Sequence, residues 1–319
     1  MVGDGIGHGT LVPVRLALIV NPVASSVTRR ALVVIQKALA SDHSLTVSET
    51  NRKGQAIRLA HAAARAGADV IVALGGDGTI NEVANGVLGE ACAIAPLPGG
   101  STNVFARAVG YPNDAIEATG VLLEALAADR SVMASVGLAN DRAFLFHCGV
   151  GYDAAVVDRV ERRGALKRYL GHPLFIAAAA TTWLRDAERR RGGFAVETDG
   201  GMSARGIKQL VAMNTRPYTY LGNKPLDLAP EAGLDVPLTL LALTSLSPRV
   251  LPALTRGLSR PGGLPNRGVA RHWAGVHSAV VTSVRPVPWQ LDGEAMAPVT
   301  ELRLAHHPEA LRLIVPEHH

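Results

Sequence analysis

An α/β domain followed by an all-β domain is the fold class this sequence predicts, and three observations predict it. Across residues 13–135, apolar runs alternate with helix-patterned segments, as a mainly parallel sheet covered by helices on both faces requires. Beyond about residue 130 the texture changes to short β-like runs cut by Gly- and Pro-rich turns, the pattern of a β-sandwich or barrel. Hydrophobic residues fill 48% of the 319 positions and charged residues 18%, ample for a packed core. The expected division is 13–135 and 136–301, with 302–316 available to rejoin the first unit.

The elements follow in order. Apolar "VRLALIVNP" (14–22) reads as a strand, "RRALVVIQKALASD" (29–42) as a helix and "SLTVSET" (44–50) as a strand. A helix over "GQAIRLAHAAARAGA" (54–68) leads into the strand "DVIVALGG" (69–76), then the helix "TINEVANGVL" (79–88). The unit closes with the strand "ACAIAPLPGG" (91–100) and a helix through "TNVFARAVG". In the second half the strand-like runs are "RAFLFHCGVG", "GGFAVETDGG", "IKQLVAMNT", "VPLTLLALTS" and "HSAVVTSV". One stretch there, "HPLFIAAAATTWLRDAERRR" (172–191), reads as a helix, while 1–12 and 259–268 read as loops.

Composition excludes several classes. Cys92 and Cys148 are the only cysteines, which rules out a disulfide framework or a cysteine zinc cluster and suits a reducing cytoplasm. The formal charge of +5 permits an anionic partner without identifying one, and nucleic acid is not among the expected partners. Residues 1–12 lack a basic and then apolar leader pattern, and no stretch approaches 18 uninterrupted apolar residues, so neither a signal peptide nor a membrane span is expected.

The chemistry concentrates in "ALGGDGTINEVANGV" (73–87). Ligands of open α/β sheets bind beyond the carboxyl ends of the strands, where Gly75 to Thr79 fall. Amides at a helix N-terminus attract phosphate, and glycines let it approach closely. Asp77 is the odd member, because a bare carboxylate repels phosphate; it makes sense if a divalent cation, or water on one, lies between. No Walker-type G-x-x-x-x-G-K-[ST] loop is present. A lone glycine turn is equally well explained by packing, but "PLPGGSTNVFAR" (96–107) repeats the arrangement, with Ser101, Thr102 and Asn103 supplying polar groups. Two such turns at one sheet edge point to a phosphate cleft.

The motifs "NP" (21–22), "GGDGTINE" (75–82), "PGGSTNVFAR" (98–107) and "DGE" (292–294) resemble the diacylglycerol kinase catalytic-domain family, which includes bacterial lipid kinases and the sphingosine and ceramide kinases. GGDGT alone is shared with NAD kinases; the combination is far more specific. The resemblance implies an α/β nucleotide domain, a β-sandwich lipid domain, an active site in the cleft between them, ATP as phosphoryl donor and Mg²⁺ as cofactor. By position it assigns nucleotide contacts to Asn21, Thr50, Gly75, Gly76, Asp77, Gly78, Thr79, Asn81, Glu82, Gly100, Ser101 and Asn103. Asp77 would hold the catalytic Mg²⁺ through water. Ser101 keeps the hydroxyl of the family's usual Thr, whereas Val104 replaces an Asp, so any role of that acid is absent. Glu294 matches the general base, the alternative being a solvated Glu after an Asp-Gly hairpin, with Asp292 a turn former.

Weaker features complete the reading. "APEAGLDVPLTLLAL" (229–243) resembles the segment carrying a structural Mg²⁺, with Asp235 as side-chain ligand and carbonyls near Ala232 and Pro237, although the usual Asp-Gly is Asp-Val here. "CGVGYDAAVV" (148–157) fits G-x-G-x-x-A without the acidic residue a dinucleotide fingerprint needs. Basic residues flank an apolar segment within 158–191, which reads as a solvated face or as peripheral contact with the inner face of the membrane. The expected function is an ATP- and Mg²⁺-dependent lipid kinase making phosphatidic acid from diacylglycerol; an NAD kinase and a non-catalytic nucleotide-binding regulator are the alternatives. A homodimer is left open.

Overall fold

The computed structural model describes residues 13–152, 154, 155, 157, 193–247, 268 and 270–316. The helix expected over 172–191 and the basic stretch at 158–168 lie outside the described residues.

In the first half, β1 (Arg15–Val20), β3 (Val70–Gly75) and β4 (Ala93–Pro98) are buried almost throughout. Continuous apolar runs are what parallel strands covered on both faces need. β2 (Ser44–Glu49) lies at the edge, where half-exposed side chains suffice. The order β2-β1-β3-β4 is parallel throughout, with Leu16 beside both Leu45 and Val70. α1 (Arg29–Asp42) starts where Thr28 Oγ1 accepts from the Ala31 amide, and it packs against α5 (Ala115–Ala127), which Asp114 caps. α2 (Gln55–Arg65) packs against α3 (Asp77–Val87), and right-handed crossovers place this pair on the opposite face. The chain reverses its direction of travel across the sheet between β1 and β3, so a crevice opens at their carboxyl ends.

The strand-rich half contains β5 (Ser131–Ala139), β6 (Arg142–Phe144), β7 (His147–Gly151), β8 (Phe194–Thr198), β9 (Ser203–Ile207) and β10 (Gln209–Met213). It continues with β11 (Thr219–Leu221), β12 (Lys224–Leu226), β13 (Leu238–Leu243), β14 (Ala270–Val276), β15 (Ser278–Leu291) and β16 (Glu294–Ile314). Hydrogen bonding runs β14-β13-β10-β7-β15-β16-β4-β3-β1-β2, so one continuous sheet joins the halves; β11 and β12 form a separate hairpin. Phe144, Val196, Leu210, Leu240, Trp273 and Leu304 meet in a second core made by strands from both ends of this half. An α/β unit followed by a strand-rich one is thus the fold, as the alternation and its change of texture predict.

Three details depart from expectation, each for a physical reason. α3 begins at Asp77, two residues early, because extended Gly76 is its N-cap and the first turn includes Asp77 and Gly78. The helix after the second glycine turn is only α4 (Val104–Ala108), delayed because Asn103 takes a left-handed conformation, φ 51°. The run "RAFLFHCGVG" splits into β6 and β7, since the Leu145, Phe146 and His147 amides leave the ladder to bond the Asp292 carboxylate. The α5 helix and the β5 strand were not anticipated from the sequence.

Candidate active site

The two glycine turns lie against each other at the carboxyl ends of β3 and β4. A Cβ on Gly99 would stand 2.8 Å from the Gly75 Cα, and one on Gly100 would stand 2.8 Å from the Gly76 Cα. Packing of turn on turn therefore accounts for Gly99 and Gly100, while a Cβ on Gly75 would meet the Thr79 side chain at 2.6 Å. Gly78 is different: its Cβ position meets nothing within 4 Å, and its φ is not in the left-handed region. Gly78, in the first turn of α3, thus faces open space. Asn21, after β1, spans the crevice by donating to Thr79 Oγ1 (3.1 Å). Thr50, after β2, is buried with its amide on the Val20 carbonyl. Ser101 is exposed at the rim. Ser26, which the sequence did not single out, closes the turn from above by donating its amide to Gly99 O and its hydroxyl to Gly100 O.

Asp77, Asn103 and Glu82, all expected nucleotide contacts, are engaged by protein hydrogen bonds. The Asp77 carboxylate accepts from the Val104 and Phe105 amides at 3.0 and 2.9 Å, capping α4 and locking the second turn to the first. Asn103 accepts from the Gly100 amide and donates to Gly100 O and Asn113 Oδ1, which holds the left-handed turn closed. Glu82 takes the Gly54 amide at 2.7 Å and the Ala56 amide at 3.0 Å, so it caps α2. All three shape the walls of the crevice.

Glu294 arrives from the other half. Asp292 and Gly293, with φ of 47° and 79°, make the two-residue turn between β15 and β16, and Leu291 pairs with Glu294 across it. Such positive-φ turns match the strand twist, which is why Asp-Gly stands here. The Glu294 side chain is only 13% exposed and is ion-paired to Lys53 and to Arg142. A solvated turn glutamate is therefore excluded.

Asp292 proves to be more than a turn former. Fully buried, it accepts from Asn81 Nδ2 (2.8 Å) and from the Leu145, Phe146 and His147 amides (2.7–3.1 Å). Burial pushes its carboxyl up to about 6, against the downward pull of those four hydrogen bonds. Asn81 also bonds the Ala143 carbonyl, and Arg142 reaches its Oδ1, so α3, β6 and the β15–β16 turn form one polar junction. Gly78, Asn81 and Glu82 share one face of α3 by their spacing, and Arg142 links that face to Glu294. No local pattern marks Arg142 or Lys53; only this junction does.

The cofactor expectations meet a mixed fit. The opening at Gly78 suits a phosphate on a helix N-terminus. No group of three His, Cys, Asp or Glu side chains able to hold a metal occurs among the described residues. At the second proposed magnesium segment Ala232 is buried, and neighbouring carbonyls are taken: Gly233 O by the Val236 amide and Leu234 O by the Ser135 amide and hydroxyl. Asp235 has its Oδ1 3.1 Å from the Cβ position of Gly233, and Pro237 leads into β13.

A crevice at the β1/β3 switch point, floored by two interlocked glycine turns and faced by a carboxylate from a strand-rich half, defines a nucleotide-type phosphotransferase architecture. Residues 15–135 match the diacylglycerol kinase catalytic domain. Over 290 residues, 86% of this chain and 85% of the relative, the sequence is 31% identical to a probable lipid kinase YegS-like of Chromohalobacter salexigens. It is 34% identical over 142 residues to a diacylglycerol kinase of Bacillus subtilis, covering 43% of this chain and 46% of that one. A crystal structure of a diacylglycerol kinase from Bacillus anthracis superposes with a TM-score of 0.70 at 20% identity, covering 94% and 96% of the two chains, which shows the same fold. The chain belongs to the diacylglycerol kinase family.

Proposed function

We propose that the protein moves the γ-phosphoryl group of ATP, with Mg²⁺, onto the hydroxyl of diacylglycerol, giving phosphatidic acid. The observation that carries this is Glu294, only 13% exposed and linked through Arg142 to Asn81 of α3, the helix whose first turn opens at Gly78. The α3 N-terminus would hold the phosphates of ATP, and Mg²⁺ bound with it would supply charge to offset theirs. The lipid hydroxyl enters between Glu294 and the terminal phosphate. Glu294 accepts its proton as the new O–P bond forms and the bond to the departing ADP breaks. Asp77 keeps the two turns in register, and Asp292 fixes the hairpin that delivers Glu294. No helix among the described residues is long and apolar enough to cross a membrane.

Labelled ATP with a panel of lipids in mixed micelles, and NAD as control acceptor, tests the reading. Phosphatidic acid as the main product is expected; label appearing only on NAD, or on nothing, overturns it. Glu294→Gln keeps the shape and loses proton acceptance. Its single-turnover rate should fall roughly 100- to 10,000-fold with ATP binding retained. An unchanged rate removes Glu294 from the chemistry.

A further inference from the structure

The two cations on Glu294 are held very differently. Arg142 belongs to β6, is mostly buried, and also reaches Asn81, so it is part of the wall. Lys53 stands in the turn before α2 with its side chain 65% exposed. Its ammonium is a compact point charge on a flexible four-carbon stem. The Lys53 backbone, by contrast, is well fixed. Glu82 grips the amides of Gly54 and Ala56 on either side of the turn's end, and Glu82 shares the α3 face with Gly78. The ammonium on the base is thus carried by a turn that Glu82 ties to α3, the helix whose first turn includes Gly78.

The reaction needs a cation there. A carboxylate and an anionic phosphoryl group brought to contact repel, and more strongly at a partly buried site than in water. We propose that Lys53 is a further catalytic residue, whose ammonium bridges Glu294 and the γ-phosphoryl group during transfer. This rests on the phosphotransfer reading above. In the step, the lipid oxygen bonds phosphorus, the proton passes to Glu294, and ADP leaves with the electron pair of the broken P–O bond. Lys53 gives and takes no proton. It donates hydrogen bonds to the carboxylate and to a phosphoryl oxygen, as a compact point charge does well.

The test compares ADP with the β,γ-imido analogue of ATP, each with Mg²⁺, by calorimetric titration of the full chain. Lys53→Met should leave ADP affinity within about twofold and reduce the preference for the triphosphate by roughly tenfold, the worth of one charge-assisted hydrogen bond. Turnover on diacylglycerol micelles should fall by about 100-fold, with Lys53→Arg recovering part of it. The same loss should persist when Glu294 is already Gln, because the contact is with phosphate. Retained triphosphate preference and turnover in Lys53→Met would overturn the proposal alone. So would a loss that vanishes in the Glu294→Gln background, since Lys53 would then act only through Glu294. If the wild-type chain binds neither nucleotide, the phosphotransfer reading fails and takes this proposal with it.

Discussion

Asp292 gathers four N–H donors onto two buried oxygens, the Phe146 and His147 amides on one and Asn81 with the Leu145 amide on the other. Asp292→Asn keeps the shape but turns an NH₂ group toward two of those donors. Buried donors left unmet cost about 1–3 kcal/mol each, so the variant should lose roughly 2–5 kcal/mol in denaturant unfolding. The pH dependence has a definite sign. Because the folded carboxyl titrates at about 6, above the ordinary value of 3.8, the folded state binds the extra proton between these values. The stability linked to that proton is complete below about pH 4 and is lost as pH rises through about 6, by roughly 3 kcal/mol for a shift of this size. The gap between wild type and Asp292→Asn should therefore narrow as pH rises from 4 to 7. A gap that widens over that range would show the four hydrogen bonds outweighing burial.

Among the elements, α2 is placed by a residue outside it. Its N-terminus has left-handed Gly54 as cap with no side chain of its own to offer, and Glu82 of α3 supplies both oxygens instead. Glu82→Gln leaves one acceptor for two amides. The expected result is a loss of about 1 kcal/mol, as for other helix caps, with faster hydrogen exchange at the Gly54 and Ala56 amides. Because Lys53 rides on the same turn, phosphoryl transfer should also slow, a change that a purely local fraying of α2 would not produce. The glycine turns show the complementary case. There the turns approach so closely that no side chain fits at Gly99 or Gly100, and Asp77 and Asn103 tie the resulting loops with hydrogen bonds.

For the whole molecule, β16 is the common member. Leu302 and Leu304 lie in the core of the strand-rich half, whereas Leu311, Leu313 and Ile314 lie in the core of the α/β half. Leu313 sits between Ile94 of β4 and Val132 of β5. One strand shared by two cores couples their unfolding. Calorimetry should show a single transition with matching calorimetric and van't Hoff enthalpies. Leu313→Ala, at a fully buried position, should lower the stability by about 2–5 kcal/mol and move that transition as one. Two resolved transitions, with only the first displaced, would mean the halves fold independently.

The sequence by itself determined the order of β1 to β4 with the helices α1 to α3 between them, and the family. Period-2 and period-3.6 apolar patterns are local, and the glycine turns and the Asp-Gly hairpin are short-range consequences of backbone sterics. Hence strands β1 to β4, the turn before Glu294 and the crevice at the strand ends were all legible. What each polar residue does was not. Asp77 and Glu82 read as ligand contacts, yet one caps α4 and the other caps α2. Asp292 read as a turn former, yet it is the buried hub of the junction. Lys53 and Arg142 carried no signal at all. Their roles depend on partners 26 to 241 residues away in the chain, Ala56 with Glu82 at one extreme and Lys53 with Glu294 at the other. A carboxylate's partner is fixed only when the chain brings donors to it, and that is a decision of the tertiary structure.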